Sequence, residues 1–219
     1  MMKHDVRLDI DALRTRAEQG DAEAQYKLGV RYDNGKGVPP DAAEAVRWYR
    51  LAADQGHADA QYNLGFSYAT GDGVPPNAAE AVRWFRLAAD QGLAEAQSYL
   101  GFMYATGRGV PPDDTEAVRW YRLAAEQGNA SAQFLLGVRY AFAAEQGLAE
   151  AQSYLGFMYD TGRGVPQDAA EALRWFRLAA DQGDAKAQFS LGVRYATGDG
   201  VPQDDVQALM WFRRPPTFE

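Results

Sequence analysis

Residues 21–56 read DAEAQYKLGVRYDNGKGVPPDAAEAVRWYRLAADQG, and residues 57–92 repeat the line with the same landmarks, HADAQYNLGFSYATGDGVPPNAAEAVRWFRLAADQG. The phrase Ala-Gln-x-x-Leu-Gly begins at Ala24, Ala60, Ala96, Ala132, Ala151 and Ala187, at intervals of 36, 36, 36, 19 and 36 residues. Gly-x-Gly-Val-Pro begins at Gly35, Gly71, Gly107, Gly162 and Gly198. All five tryptophans (Trp48, Trp84, Trp120, Trp175, Trp211) hold one place in the repeat. A fixed period of this length marks an architecture in which each unit packs on its neighbours.

Each full unit reads as two helices. Ala24, Leu28 and Tyr32 fall at four-residue steps on one stripe of a first helix over roughly 21–33. Gly35 to Pro40 stops it, glycine by allowing a positive φ and proline by withholding an N–H. A second helix starts at Asp41 with Glu44 three residues on, the pattern of a capping box in which the Glu reaches back. It carries Ala45, Trp48 and Ala52 on one face, with Tyr49 beside them, and ends at Gln55-Gly56, where glycine suits the left-handed position after the helix. Such a hairpin is too small to bury its own apolar face, so hairpins must stack, and the 39 alanines let them approach closely.

These recurring phrases resemble the Sel-1-like repeat family, a relative of the tetratricopeptide repeat, from Asp21 to about Arg213. The resemblance implies an all-α fold: a right-handed α-α superhelix, or solenoid, of antiparallel helix pairs. Its first helices would line a concave face that binds other proteins. It also implies an adaptor or scaffold and no enzyme. Some cysteine-rich members of the family are linked to cell-wall or β-lactam compounds. A small-molecule or cell-wall-fragment binder is therefore an alternative, weakened by the absence of cysteine here.

The expected organisation is an N-terminal capping helix in 1–20, three full repeats in 21–128, a shortened repeat in 129–147 and two further repeats in 148–219, the last truncated. In the cap, Ala12 stands where other units place tryptophan, and Asp9, Asp11, Arg14 and Arg16 suit one wet face. At the far end Arg214-Pro215-Pro216 removes the final turn of a second helix, which should leave Trp211 partly exposed. The shortened unit lacks the Gly-Val-Pro loop and most of a second helix. With no proline or glycine from Val138 to Gln146, it predicts one continuous helix from about Ser131 to Glu145. Leu93–Pro111 and Leu148–Pro166 differ only at Ala105/Asp160, the trace of a duplication with unequal crossing-over. An unpaired helix here should interrupt the solenoid and set the last two units at another angle, or against another copy.

Charge and composition narrow the function. The chain carries 22 basic and 30 acidic side chains, net −8, against binding of nucleic acid. Cysteine is absent and only His4 and His57 occur, so no thiolate, histidine-rich metal site or cofactor is expected. No catalytic residue is assigned: the serines sit at helical repeat positions, and the carboxylates cluster at helix starts and Asp/Glu-Gln-Gly closures. The Gly-x-Gly loops precede an acidic cap that would repel phosphate. His57 reads as a surface residue, and Asp33 and Asp160 as part of a solvated face. The invariant glutamines (Gln25, Gln61, Gln97, Gln133, Gln152, Gln188) should tie helices together by hydrogen bonds. The arginines flanking each tryptophan should pair with capping carboxylates.

If recurring positions are scaffold, the varying ones meet a partner. One stripe of the first helices holds Tyr26 and Val30, Tyr62 and Phe66, Phe102, Phe134 with Val138, Phe157, and Phe189 with Val193, with Ser98 and Ser153 at two of its places. By the resemblance it faces the concave groove, and aromatic anchors favour interface centres. Glu23, Asp59, Glu95 and Glu150 would rim the groove and favour a basic protein or peptide segment. A second varying set, Arg31, Arg139 and Arg194 against Met103, Met158 and Ser67, would tune charge and shape. Self-association through the shortened repeat, giving a homo-oligomer, is a further alternative. No apolar run is long enough for membrane insertion, and the start lacks a signal peptide. That points to the cytoplasm, or to the periplasm or exterior if a leader has been removed. The Ala/Arg-rich, Lys-poor usage points to a bacterial source.

Overall fold

The computed structural model describes residues 2–215, with side chains from Ile10 onward. Among these residues there are twelve α-helices and no strand: α1 (Met2–Glu18), α2 (Ala22–Asn34), α3 (Ala42–Asp54), α4 (Ala58–Thr70), α5 (Ala78–Asp90), α6 (Ala94–Thr106), α7 (Asp114–Glu126), α8 (Ala130–Glu145), α9 (Ala149–Thr161), α10 (Ala169–Asp181), α11 (Ala185–Thr197) and α12 (Asp205–Arg213). The chain divides after Asn129 into two compact units, α1–α7 and α8–α12. Within each unit, helices pack in chain order as an all-α solenoid. The predicted limits of first and second helices hold to within a residue.

The caps explain the boundaries, with one departure. Asp41 accepts the Glu44 N–H at 3.0 Å, and Asn77, Asp113, Asp168 and Asp204 repeat this role. The glutamate side chain does not complete the expected box. The Asp41 N–H already donates to the Tyr32 carbonyl at 3.0 Å, as Asn77 does to Tyr68 and Asp113 to Tyr104. Glu44 instead accepts from Arg47, and Glu80, Glu116 and Glu171 pair in the same way with Arg83, Arg119 and Arg174. These arginines meet capping-turn carboxylates as expected. The second arginine of three pairs turns elsewhere: Arg50, Arg86 and Arg177 donate to the hydroxyls of Tyr68, Tyr104 and Tyr195 in the next first helix.

Three recurring contacts close the stack. The Gln61 amide donates to the Ala53 carbonyl on the preceding helix at 3.1 Å, while its oxygen accepts from Gln91 on the following helix at 2.7 Å. Gln25, Gln97 and Gln152 do the same, so each of these four glutamines holds three helices, while Gln188 bonds the Ala180 carbonyl. The invariant glycine of the first helix lets a ring approach: a Cβ on Gly29 would lie 2.7 Å from Tyr49, and one on Gly65 2.9 Å from Phe85. Trp48 packs with Ala17, Ala24 and Leu28, wedged among α1, α2 and α3. Trp48, Trp84, Trp120 and Trp175 are only 4–8 % exposed. Trp211 is half-buried under Arg214, whose guanidinium lies 5.0 Å from its ring centre.

The termini follow the same logic. α1 acts as a lone second helix: Ala17 accepts from Gln25, and Arg14 donates to the Tyr32 hydroxyl at 3.5 Å, as Arg50 does to Tyr68. Asp11 and Arg16 are exposed and Arg14 partly so. The Asp9 side chain and Pro216 lie outside the described residues.

α8 is the departure within the second unit. It is continuous as predicted, starting one residue earlier, and its sequence is that of a first helix. Towards α9, however, it packs as a second helix. Ala144 accepts from Gln152 as Ala53 does from Gln61. Tyr140 stacks on Tyr154 at 4.2 Å as Phe85 stacks on Tyr99 at 5.2 Å. The Gly164 turn rests on the Gln133 carbonyl as the Gly73 turn rests on that of Ala42. With no second helix of its own, α8 seats the Met158 methyl over Gly137, where intact repeats place a ring.

Gln61→Ala removes two hydrogen bonds of the tie, leaving the Ala53 carbonyl with the Gly56 N–H and the Gln91 amide with the Leu87 carbonyl. It is therefore expected to destabilise the protein by about 1–3 kcal/mol, at roughly 0.5–1.5 kcal/mol per bond. Urea unfolding followed by circular dichroism checks this against Gln19→Ala on an exposed position, which should change little.

Candidate protein-binding face

The first helices bury Ala24, Gln25, Leu28 and Gly29, or their equivalents, which turns the adjacent stripe partly outward. In the first unit Tyr26, Val30, Tyr62 and Phe102 are half-buried and Phe66 is 39 % exposed. Tyr26 stacks on His57 at 4.6 Å and tilts against Tyr49 at 6.2 Å. Tyr62 lies 5.8 Å from both Phe85 and Tyr99, and Phe66 meets Tyr99 edge-on at 5.8 Å. Tyr62, Phe66, Phe85 and Tyr99 thus form one aromatic cluster. In the second unit the stripe rings meet different neighbours rather than one shared cluster. Phe157 lies 6.1 Å from Tyr154 with the Arg163 guanidinium over it, Phe189 lies 5.7 Å from Phe212, and Phe134 is 60 % exposed.

Tyr99 and Tyr154 were absent from the sequence-predicted stripe. The signal was a one-place shift: units with serine at the stripe position, Ser98 and Ser153, carry tyrosine immediately after it. Both serines are buried, and the shifted ring covers the neighbouring helix instead.

Several groups expected to be free at the surface are engaged or buried. His57 is no free surface residue: its side chain is 14 % exposed, Nε2 lies 2.9 Å from Glu23, and Nδ1 accepts the Ala60 N–H at 3.4 Å as the cap of α4. Those roles require the tautomer with hydrogen on Nε2. Asp33 is exposed and Asp160 partly so, as a solvated face requires, but neither is without a partner. Asp33 accepts from the Tyr49 hydroxyl at 3.2 Å, and Asp160 pairs with the buried Arg194. In the second varying set, Ser67, Met103, Met158 and Arg194 are buried, so those places tune helix packing rather than the exposed face.

The electrostatics of the first unit's face are acidic. Glu23 is engaged by Lys27 at 2.9 Å and by His57, which hold its carboxyl below the usual range. Burial, then the Asp59 and Glu23 charges, raise the Tyr26 phenol. Tyr62 is pushed up to about 12 by burial and then by the neighbouring Tyr99 and Glu95 charges. Among the described residues, no group of three or more His, Cys, Asp or Glu side chains is placed to hold a metal ion. No helix among them is long and apolar enough to cross a membrane.

Stacked helix pairs with buried glutamine ties and a partly outward aromatic stripe define a repeat scaffold. The Sel1 repeat model matches residues 22–57, 58–93, 94–129, 149–184 and 185–214, and the chain belongs to the Sel1 repeat family. Proteins of this family are generally non-enzymatic scaffolds for protein interaction. The chain is similar to a protective antigen of uropathogenic Escherichia coli strains with an SLR fold: 40 % identical, TM-score 0.58, covering 93 % of this chain and 47 % of that one. It therefore spans about half the length of that relative. It is also similar to a Sel1 repeat protein from Oxalobacter formigenes: 36 % identical, TM-score 0.56, covering 95 % of this chain and 78 % of that one. No curated protein matches the chain at a significant level.

A tyrosine whose pKa is raised in the folded state adds stability that is whole below the unfolded pKa near 10 and is lost as pH rises through the folded value. For Tyr62 the window runs from pH 10 to about 12. Tyr62→Phe is expected to lose less stability than the unmodified protein across that window, read from urea midpoints on either side of it.

Proposed function

We propose that the first unit binds a basic protein segment along the exposed side of α2, α4 and α6. The observation that carries this reading is the aromatic cluster of Tyr62, Phe66 and Tyr99 with Glu95 near Tyr62, on a face where Asp59 and Glu23 act likewise on the Tyr26 phenol. Half-exposed rings offer large apolar contact at low entropic cost, and they are the residues on which binding energy concentrates. Nearby carboxylates add steering and selectivity for lysine- or arginine-bearing segments more than raw affinity. The contacts assigned to the segment are Tyr26, Val30, Tyr62, Phe66 and Phe102. In the second unit Phe157 and Phe189 stand at the equivalent places. The scaffold contributes rigidity, because the glutamine ties and glycine seats hold the rings before a partner arrives.

Self-association through the shortened repeat is a second reading, favoured by the exposed apolar side of α8.

Fluorescence anisotropy with a set of labelled peptides, basic and acidic, each with leucine or phenylalanine anchors, tests the first reading. Basic members are expected to bind, more weakly as salt rises. The double variant Phe66→Ala, Phe102→Ala should weaken binding by at least about tenfold, as loss of two central anchors does. Its helicity should stay unchanged. Equal affinity of the variant and the unmodified protein would remove the reading.

A further inference from the structure

Phe134, Val138 and Phe142 follow one another at every fourth residue of α8 and are 60 %, 54 % and 69 % exposed. The equivalents of the first two in an intact repeat, Tyr26 and Val30, are half-buried and pack against the core of α3 and α4. The difference has a local cause. In an intact repeat the stripe is covered from the side by the following first helix, as His57 covers Tyr26 and Tyr99 covers Phe66. α8 meets α9 as a second helix would, through Tyr140 on Tyr154, so no following first helix reaches its stripe.

We infer that this stripe is the contact between two copies of the chain, an antiparallel α8–α8 pairing with its two-fold axis at Val138. Three features select a second copy over another occupant. First, Phe-x3-Val-x3-Phe reads the same in both directions. A two-fold axis at Val138 therefore sets Phe134 against Phe142 of the second copy on both sides, the self-complementarity a closed dimer needs. Residues four apart also form the ridge that packs into the matching groove of another helix. Second, the chain is net −8, so copies repel over most of their surfaces. α8 carries only Arg139 and Glu145, and so can meet another α8 with no net charge at the contact. Third, α2, α4, α6 and α9 each hold an acidic residue in their first turn, whereas α8, like α11, holds none. In the antiparallel pairing Glu145 of each copy stands over the first turn of the other α8, where the helix dipole favours a carboxylate. One helix against one helix is a small contact at the weak end of protein interfaces. Phe134 then belongs to the dimer rather than to the peptide-binding face.

Analytical ultracentrifugation of the whole chain over a hundredfold range of concentration reads the outcome, which is a mass rising towards twice that of the chain. Val138→Glu and Val138→Lys each place like charges on the axis and should weaken the dimer by at least about tenfold. Mixing the two should restore a dimer containing one of each, which only an axis through residue 138 produces. An unmodified chain that stays monomeric overturns the proposal, as does a dimer that survives Val138→Glu or a mixture that remains monomeric. A monomer that sediments with phosphatidylcholine vesicles would assign the stripe to a lipid surface and overturn it too. Peptide binding by the first unit, lost in the Phe66→Ala, Phe102→Ala variant and kept in Val138→Glu, fails or holds separately.

Discussion

The glutamine tie is the constraint on which the stack depends. A primary amide is buried beside alanines, where an unpartnered polar group costs roughly 1–3 kcal/mol. It is tolerated because the flanking helices supply a carbonyl on one side and a second glutamine on the other. The bond lengths therefore fix the offset between successive helices as well as their contact. An apolar side chain of similar volume would fill the space without specifying the register. The tie spans the end of one repeat, the start of the next and that repeat's second helix, so it carries the geometry from unit to unit.

Around that tie, shape does the rest. Glycine in the first helix admits the ring of Tyr49 or Phe85 to backbone distance, closer than any side chain would allow. The tryptophan then closes the wedge among three helices. Arginine over each tryptophan, as for Arg47 at 4.2 Å from the Trp48 ring, shields the outer edge while its charge reaches Glu44. Such exposed ion pairs contribute little energy individually. Their effect is to occupy groups that would otherwise compete for a partner.

The proposed contacts lie where the repeat is broken or varied. The one-place shift from Tyr62 to Ser98-Tyr99 turns an ordinary packing position into an aromatic cluster on the outside of α4 and α6. The loss of a loop and second helix in the shortened repeat leaves α8 to serve as a second helix for α9, and that substitution uncovers Phe134, Val138 and Phe142. Both consequences arise because a side chain in a solenoid is covered by the next repeat as much as by its own.

The sequence by itself determined the helices, their caps, the buried tryptophan row and the need for the glutamines to be bonded, because each of these is local or recurs with the period. It also determined that residues 131–145 form one helix, since nothing between Val138 and Gln146 breaks it. Only the tertiary structure decided which groups were free. The expected capping box stays open because the Asp41 N–H is taken by Tyr32, nine residues back and across a turn. His57 is buried by Tyr26 and Glu23 of the preceding repeat, and Asp160 is consumed by Arg194 of the following one. Whether α8 faces its neighbour as a first or a second helix depended on which contacts closed best once the intervening helix was gone. Period and propensity describe one unit at a time, whereas exposure is settled by the neighbour a unit receives.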